Sequence, residues 1–558
     1  MRYPSSWWTP PRRKRDHQEL VQIPHDVWLE VVENLRPSES LSRGESKYDL
    51  ANLSLACRYL CAITRPLLYE EVLFSGTSVT NDVDLPLKDH SQWYKEVRSR
   101  NDSLGSFVKI YRLNDWIVSD DRRAFISTFC KKHFDVVARL PKLQSLYLSG
   151  FDAFMLNPLR EFLCRRAKAG PQLSTLRHLY LYRADTTINI LAALQELTGL
   201  ETLVLHDSYV SCALDERLPK SILPCLRHLE VNTVWYPLDY TFSTAIIHMA
   251  CQASLRTLST NVSYIAHALL TCDVGLAIED LQVFAAPEDM PLFASFLGRT
   301  PSIHTLSFGL ADPVVESPPL DLDNRALPNL RSLSCSGTYI LPAAKGRPIR
   351  RYCVVEYNPT LETDDYRLPA LLGLKQSSAP VEELGVRATL YHDTVFAQHF
   401  PNLKSVTVFP DRRGMSVKLV KNEVLPWEHL QLHCAIDATQ FAKELVPGRD
   451  YTYDLPTQRG ILANNQFMAQ FPSLLGVKFH GLVDWRRSSH TSDNWEPYIS
   501  SRDKARSNLK NLAAGRIDPD VDPVHVVDED GILASLFRPQ EMTTQLRELL
   551  GLENSSNV

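Results

Sequence analysis

Four acidic residues near the C-terminus have the spacing of a calcium-binding loop. Asp518, Asp520, Asp522 and Glu529 stand at positions 1, 3, 5 and 12 of such a loop, where carboxylate oxygens would coordinate the ion. Pro523 occupies the sixth position, where the sharp turn requires glycine, and proline cannot adopt a positive φ. The sequence therefore predicts that this segment binds no calcium.

Cysteines are the other residues whose spacing could indicate a metal site. Cys57 and Cys61 lie four residues apart in a segment that we expect to be helical, so two thiolates could face one ion. No second cysteine pair or nearby histidine completes a four-ligand site, and we interpret both as core residues. The eleven cysteines are scattered singly, and the N-terminus lacks the apolar run of a secretory signal, which predicts a cytoplasmic or nuclear protein.

Sequence motifs of enzymes are absent. Gly-x-Ser-x-Gly, His-Glu-x-x-His, Cys-x-x-Cys and a phosphate-binding glycine-rich loop do not occur. The net charge of -5 predicts no general attraction to nucleic acid or to an anionic membrane. No window approaches the ~18 consecutive apolar residues of a membrane-spanning helix. We therefore expect a protein that is not an enzyme, that holds no metal or cofactor, and that binds neither nucleic acid nor membranes.

Two short helical patterns lie near the N-terminus. Apolar residues recur at helical spacing between Pro24 and Pro37, which predicts one amphipathic helix. A second helix is predicted from an N-cap at Asp49 to Pro66. The apolar face of this second helix consists of Leu50, Leu53, Cys57, Leu60 and Thr64.

Residues 20–74 resemble an F-box domain of the fungal type. The resemblance rests on Ile-Pro-x-x-Val at 23–27, NLSLACRYL at 52–60 and ITRPLLYEEVLF at 63–74, in this order. It implies a module that docks a Skp-type adaptor and, through it, a cullin scaffold, and so delivers a substrate to a ubiquitin ligase. The residues that the resemblance assigns to the adaptor are Ile23, Pro24, Val27, Leu53, Cys57 and Tyr59.

Two features depart from the F-box pattern. Ile23 stands where the family more often has leucine, and the segment 36–48 is longer than the usual link between these helices. A polar loop of this kind is tolerated at small entropic cost. Docking would be impaired if the loop covered the side that faces the adaptor.

Beyond residue 104, apolar residues recur at the first, fourth and sixth positions of a six-residue phrase. Clear copies begin at Leu143, Leu176, Leu200 and Leu226, and more degenerate copies follow. Six steps lead from Leu176 to Leu330, about 26 residues each, which is within the range of leucine-rich repeats. The resemblance to leucine-rich repeats implies an α/β solenoid with parallel strands on the concave side and helices on the convex side.

The turns after the phrases depart from the leucine-rich-repeat pattern. The family commonly places Asn or Cys three residues after the last apolar position, where the side chain satisfies backbone groups of the turn. The residues at these sites are Phe151, Ala184, Ser208, Val234 and Ser263. We therefore expect irregular turns without an asparagine ladder.

Side chains beside the central apolar residue of each phrase are expected to point out of the concave face. Aromatic and histidine side chains among them predict a protein-binding surface, because rigid rings offer contact area at low entropic cost. The predicted contacts are Tyr147, Tyr180, Tyr182, His206, Phe284, Arg387 and Phe409. The alternative is that these side chains pack on loops or on the C-terminal tail.

These patterns divide the chain into five parts. They are a flexible basic arm (1–19), an F-box-like helical domain (20–75), a connector (76–103), a leucine-rich-repeat-like solenoid (104–485) and a tail (486–558) that is partly disordered or caps the solenoid. The basic run at 12–15 in the arm is either a nuclear-import signal or a solvated tail.

Two functions remain open. The first is a substrate-recognition subunit of an SCF-type cullin ubiquitin ligase, a monomer within a hetero-complex, whose solenoid binds a protein substrate. The second is a non-catalytic scaffold or inhibitor in which the N-terminal helices cap the solenoid. The second function requires that the apolar F-box positions be buried against the repeats.

Overall fold

The structure is a computed structural model. It describes residues 24–35, 47–75, 92–97, 104–114, 131, 133–151, 156–168, 175–184, 186–187, 190, 193–194, 197–206, 210–211, 223–233, 243, 246–248, 250, 254–272, 276–311, 318–354, 368–393, 396–410, 424–434, 455–479, 483–492 and 494–499. The basic arm, Ile23, the 36–46 loop, most of the connector and the 518–529 segment lie outside the described residues.

A single sheet of 17 strands forms the body of the protein. The strands of the structure are β1 (Glu71–Ser75), β2 (Ile110–Asn114), β3 (Ser145–Phe151), β4 (His178–Ala184), β5 (Thr186–Thr187), β6 (Thr202–His206), β7 (Val210–Ser211), β8 (His228–Asn232), β9 (Thr257–Thr260), β10 (Asp280–Ala285), β11 (Thr305–Leu310), β12 (Ser332–Ser334), β13 (Arg351–Cys353), β14 (Glu383–Arg387), β15 (Ser405–Phe409), β16 (His429–Leu432), β17 (Gly476–Lys478), β18 (Val483–Arg486) and β19 (Glu496–Ile499). Strands β5 and β7 pair separately from the large sheet.

The strands of the large sheet pair in chain order. Every pair from β1 to β17 is parallel, and only the last two pairs are antiparallel among the described strands. Parallel neighbours require crossover connections, and helices supply many of them. This arrangement is an α/β solenoid, as the repeat period predicts.

The central leucine of each phrase sets the register of the sheet. Leu146 pairs with Leu179, then Leu203, Leu229 and Leu258 in successive strands, and all five are buried. Because successive side chains of a strand point to opposite faces, this register places one face of every strand in a continuous apolar core. The residues between the leucines therefore lie on the other face.

Helices form most of the described N-terminal region, and further helices connect successive strands. They are α1 (His25–Asn34), α2 (Tyr48–Ala56), α3 (Arg58–Leu68), α4 (Leu156–Lys168), α5 (Ser263–Leu270), α6 (Met290–Arg299), α7 (Gly337–Ala344), α8 (Leu368–Leu371), α9 (Ala388–Asp393), α10 (Phe396–His399), α11 (Leu455–Leu462) and α12 (Asn465–Gln470), with 3-10 turns at Leu104–Phe107, Pro287–Asp289 and Leu372–Gln376. Within the described part of the chain, no helix is long and apolar enough to cross a membrane.

The second predicted helix is two helices in the structure. Cys57 separates α2 from α3 with an extended backbone (φ -159°, ψ 167°), and its Sγ accepts a hydrogen bond from the backbone N–H of Leu60. The prediction of one continuous helix is therefore wrong, because an extended residue interrupts the helical hydrogen bonds. The N-cap is Lys47 rather than Asp49, and α3 continues past Pro66 to Leu68.

The sheet extends beyond both ends of the predicted solenoid. Strand β1, which the sequence places in the F-box-like domain, pairs along its whole length with β2. At the other end, the antiparallel hairpin of β18 and β19 continues the sheet to Ile499. Helix α3 therefore leads directly into the first strand of the sheet, and the described chain ends in a hairpin that covers β17.

Candidate functional site

The open face of the sheet is the face opposite the buried leucines. A row of side chains crosses five neighbouring strands on this face, and it consists of Arg112, Tyr147, Tyr180, Val204 and Glu230, which pair in register from β2 to β8. Adjacent strands lie about 4.8 Å apart. Side chains in neighbouring strands are thus close enough to stack on one another.

The first three members of the row form a stack. The guanidinium of Arg112 lies 3.7 Å from the centroid of the Tyr147 ring, which in turn lies 4.0 Å from the Tyr180 ring and nearly parallel to it. The carboxylate of Glu71 forms an ion pair with Nε of Arg112. Cation–π contacts of this kind contribute about 0.5–1 kcal/mol at exposed sites. The stack therefore favours this arrangement of its two tyrosines before any partner binds.

The stack continues into a second row nearer the ends of the strands. The Tyr182 ring is parallel to that of Tyr180 at 6.5 Å between centroids, and the His206 ring meets Tyr182 edge-on at 5.1 Å. We call Arg112, Tyr147, Tyr180, Tyr182 and His206 the tyrosine strip. Burial, together with the neighbouring Tyr147, raises the pKa of the Tyr180 hydroxyl, so this hydroxyl remains a hydrogen-bond donor at physiological pH.

A hydrogen-bonded carboxylate adjoins the strip. Glu230 Oε1 lies 2.8 Å from His206 Nε2 and accepts a hydrogen bond from Asn232 Nδ2 at 2.9 Å, while Oε2 lies 3.5 Å from His228 Nε2. The hydrogen bonds from His206 and His228 lower the pKa of Glu230 to about 2. We call these four residues the Glu230 cluster, and its carboxylate is an anion throughout the physiological pH range.

Two asparagines join the turns after β8 and β9. The side-chain oxygen of Asn232 accepts a hydrogen bond from the backbone N–H of Asn261. The Asn261 side chain in turn bonds to both the N–H and the carbonyl oxygen of Thr233. The expected lack of an asparagine ladder is therefore wrong at this point. The signal in the sequence is that Asn232 and Asn261 follow the phrases Leu-Glu-Val and Leu-Ser-Thr at the same offset.

Two predicted contact residues are buried instead of exposed. Phe284 is 5% exposed and lies over Gly309, where an added Cβ would be 2.8 Å from the ring. Phe409 is 7% exposed and lies over Gly385 in the same way. Since a glycine in the neighbouring strand leaves the space that each ring fills, both phenylalanines pack on the sheet. Arg387 is half-buried and donates a hydrogen bond to the Pro410 carbonyl.

The N-terminal helices present apolar side chains to solvent. Among the predicted adaptor contacts, Val27 is 44% and Tyr59 43% exposed, Pro24 and Cys57 are also exposed, and Leu53 is half-buried. The His25 ring meets Tyr59 edge-on at 5.8 Å and hydrogen-bonds to its hydroxyl. Helices α1 and α3 thereby bring Val27 and Tyr59 onto one module.

Sequence reasoning missed the most exposed large apolar residue among the described residues of this module. Leu55 is 72% exposed, and Leu29 and Val31 on α1 are exposed as well. Leu55 belongs to the segment Leu-Ser-Leu that the F-box resemblance includes. Helical spacing does not predict the exposure of Leu55, because a single helical pattern drawn from Leu53 into α3 assumes that no break occurs at Cys57. We call Val27, Leu29, Val31, Leu55 and Tyr59 the helical face.

Lys47 connects the helical module to the sheet. Its ammonium donates hydrogen bonds to the carbonyl oxygens of Leu68 (3.0 Å), at the end of α3, and of Glu71 (2.6 Å), in the edge strand β1. Burial lowers the pKa of Lys47, although Glu71 and Glu70 oppose the effect. Because a cation donates here to two backbone carbonyls, the start of α2, the end of α3 and the edge of the sheet are held together.

The part of the chain that the structure describes contains no candidate metal site. No group of three or more His, Cys, Asp or Glu side chains there is arranged to hold an ion. Cys57 is exposed at the helix break, whereas Cys61 is half-buried in α3. The interpretation of both as core residues is therefore wrong for Cys57, because the chain turns at this residue.

Comparisons with known proteins give weak likenesses. No family model matches the chain, and no curated protein matches it. A chain in the crystal structure of the Rad7 and Elc1 complex in yeast is 15% identical, with 69% of this chain and 88% of that chain covered and a TM-score of 0.31. An internalin (inlF) from Listeria monocytogenes str. 4b F2365 is 13% identical over the same shares, with a TM-score of 0.25. Neither likeness carries an argument about function, and the fold assignment follows from the sheet itself.

Proposed function

We propose that the chain is a substrate-recognition subunit of an SCF-type cullin ubiquitin ligase. In this proposal the helical face docks a Skp-type adaptor, through which the cullin scaffold is reached, and the open face of the solenoid binds a protein substrate. The chain itself carries out no chemistry. The observation that supports docking most strongly is the exposed apolar surface of α1–α3, with Leu55 at its most exposed point.

Docking is consistent with the energetics of the helical face. The buried residues of the module, Val32, Leu50 and Leu60, do not belong to the continuous core of the sheet as the described residues define it. Fully burying a large apolar side chain contributes about 1.5–3 kcal/mol, so five exposed ones offer a partner several kcal/mol. Large apolar side chains that remain exposed in this number are typical of a surface that contacts another protein.

The same exposure argues against the alternative function. A scaffold whose N-terminal helices cap the solenoid would bury the F-box positions against the repeats. Val27, Cys57 and Tyr59 are instead exposed. The helical module meets the sheet through Lys47 and the α3–β1 connection, which leaves the helical face available.

The tyrosine strip and the Glu230 cluster are the proposed substrate surface. Their side chains are already fixed by stacking and hydrogen bonds, so a partner orders few rotatable bonds when it binds. Tyrosine and arginine are also enriched among the residues that dominate binding energy at interfaces. The substrate is therefore expected to lose affinity mainly when these rings are removed.

Calorimetric titration with a purified Skp-type adaptor tests the docking half of the proposal. We expect Leu55→Asp to weaken adaptor binding at least tenfold, because a buried unpaired carboxylate costs several kcal/mol. Val424→Asp is the matched control, since Val424 is exposed to a similar degree (63%) but lies on the solenoid, and we expect it to bind like the wild type. Circular dichroism of both variants shows that the fold is retained. Failure of the wild type to bind, or equal binding by Leu55→Asp, contradicts the proposal.

A further inference from the structure

A cleft of about 300 Å³ opens between two neighbouring repeats. One side is the segment that leads from the 3-10 turn at 372–376 into β14, and the other is the segment that leads from α10 into β15. Pro380 and Pro401 are exposed apolar residues of its wall. The cleft is separate from both the tyrosine strip and the helical face.

The polar side of the cleft is basic. Lys375 Nζ lies 3.0 Å from His399 Nδ1, and both residues line the cleft. An ammonium group has donors only, so Lys375 Nζ donates this hydrogen bond and Nδ1 of His399 accepts it. One ammonium proton is used in this hydrogen bond, which leaves two protons and the full positive charge for a ligand.

No acidic residue is present among the described residues that line the cleft, all of which are neutral or basic. The nearest acid in sequence, Glu382, is engaged by Arg350 at 3.6 Å and by Lys404 at 3.4 Å. Ser378 and Asn402 also line the cleft, and both are exposed. Among its described lining residues, the cleft therefore combines one ammonium group, apolar walls and the polar side chains of Ser377, Ser378, His399 and Asn402.

We propose that this cleft binds the carboxylate of a peptide C-terminus that ends in an apolar residue. The one ammonium group among the described lining residues matches a singly charged carboxylate, whereas a phosphate group with its second charge would be only partly neutralised. In a chain terminus the carboxylate adjoins the last side chain, just as Lys375 and His399 adjoin the apolar wall. A volume of about 300 Å³ is at the lower end of ligand sites and suits the last one or two residues of a peptide.

Binding at the cleft does not depend on the proposed ligase function. It requires neither the adaptor nor the tyrosine strip, so its failure would leave adaptor docking untouched. If both functions hold, the cleft is a second recognition element for proteins that present a free C-terminus. Charge-assisted hydrogen bonds from Lys375 would then supply most of the selectivity for a free carboxylate over an amide.

Ligand-observed saturation-transfer NMR with the full chain tests the proposal. The probes are N-acetyl-Ala-Leu with a free carboxylate, the same dipeptide as its C-terminal amide, and N-acetyl-Ala-Glu amide, whose only carboxylate is on a side chain. The variant Lys375→Met removes the ammonium but keeps the apolar stem of the side chain. Lys142→Met, at another exposed lysine before β3, is the matched control.

We expect the free carboxylate to bind and the amide to bind at least about tenfold more weakly, as is typical when a hydrogen bond to a charged group is lost. Lys375→Met should weaken binding of the free-carboxylate dipeptide by a similar factor, and Lys142→Met should leave its binding unchanged. Equal binding of acid and amide, undiminished binding to Lys375→Met, or no binding of the acid at millimolar concentration overturns the proposal. Equal binding of the side-chain carboxylate overturns the assignment to a chain terminus.

Discussion

Replacing Glu230 by glutamine removes the charge at the centre of the Glu230 cluster and preserves its shape. The pKa of this carboxyl is about 2, compared with 4.5 for an unperturbed glutamate. Each pKa unit corresponds to about 1.4 kcal/mol, so the ionised carboxylate can stabilise the folded state by at most about 3 kcal/mol. The side chain is 26% exposed, and water screens part of the interaction, so we expect Glu230→Gln to cost about 1–2 kcal/mol of folding free energy at pH 7.

The stabilisation that Glu230 provides decreases as the pH falls. Because folding lowers the pKa of Glu230, the stabilisation is complete above the unfolded value of 4.5 and is lost as the pH falls towards 2. Urea unfolding of wild type and Glu230→Gln should therefore show a clear difference at pH 5 that shrinks from pH 4.5 downwards. The two proteins differ only at residue 230, whose carboxylate contacts His206 and His228 in the wild type.

Glu288→Gln is the control for this measurement. Glu288 is an exposed carboxylate in the 3-10 turn before α6, and exposed charges contribute little. We expect this variant to unfold within about 0.5 kcal/mol of the wild type at every pH. A Glu230→Gln difference that does not change with pH, or that equals the difference for Glu288→Gln, would refute the hydrogen-bonded geometry of the cluster.

Three further predictions concern the supports of the solenoid and of the helical module. Arg347 is buried and donates hydrogen bonds to carbonyl oxygens at the end of α7 and in the 323–326 turn. Arg347→Met should therefore lower the free energy of urea unfolding by about 3 kcal/mol or more. Arg331→Met, at an exposed arginine, is the control and should cost under ~0.5 kcal/mol. Gly385→Ala should cost about 1–3 kcal/mol in the same assay, because its Cβ would lie 2.8 Å from a cysteine sulfur. Gly298→Ala in α6, whose Cβ would meet nothing within 4 Å, should instead stabilise the fold by about 0.5 kcal/mol. The reverse order of the two stabilities would contradict the packing. Lys47→Met removes two hydrogen bonds to backbone carbonyls, and amide exchange in α2 and α3 should then be about tenfold faster, with unchanged exchange as the contrary result.

The parallel sheet was predictable because the repeat phrase is itself a packing pattern. Each central leucine must be buried, and a regular period aligns the leucines of neighbouring repeats, as Leu203 and Leu229 show. The antiparallel hairpin β18–β19 was not predictable in this way, because its strands lack the phrase. Strand β1 is only five residues long, and its apolar residues Val72, Leu73 and Phe74 are consecutive, so no alternation separates it from the end of α3.

The candidate binding surfaces were predictable only in part. The tyrosine strip follows from alternation along single strands, which fixes the face of Tyr147, Tyr180 and Tyr182. The burial of Phe284 depends instead on Gly309 in the next strand, a contact that alternation does not specify. The helix break at Cys57 is hidden for a related reason, since apolar residues keep helical spacing on both sides of one extended residue.

Hydrogen exchange of the full chain with and without a purified Skp-type adaptor tests the central proposal most directly. Docking on the helical face predicts slower exchange in α1 (His25–Asn34) and in α2–α3 (Tyr48–Leu68) when the adaptor is added. The same account predicts unchanged exchange in β3, β4 and β6, which carry most of the tyrosine strip. No change in α1–α3, or slower exchange confined to the open face of the sheet, would contradict it.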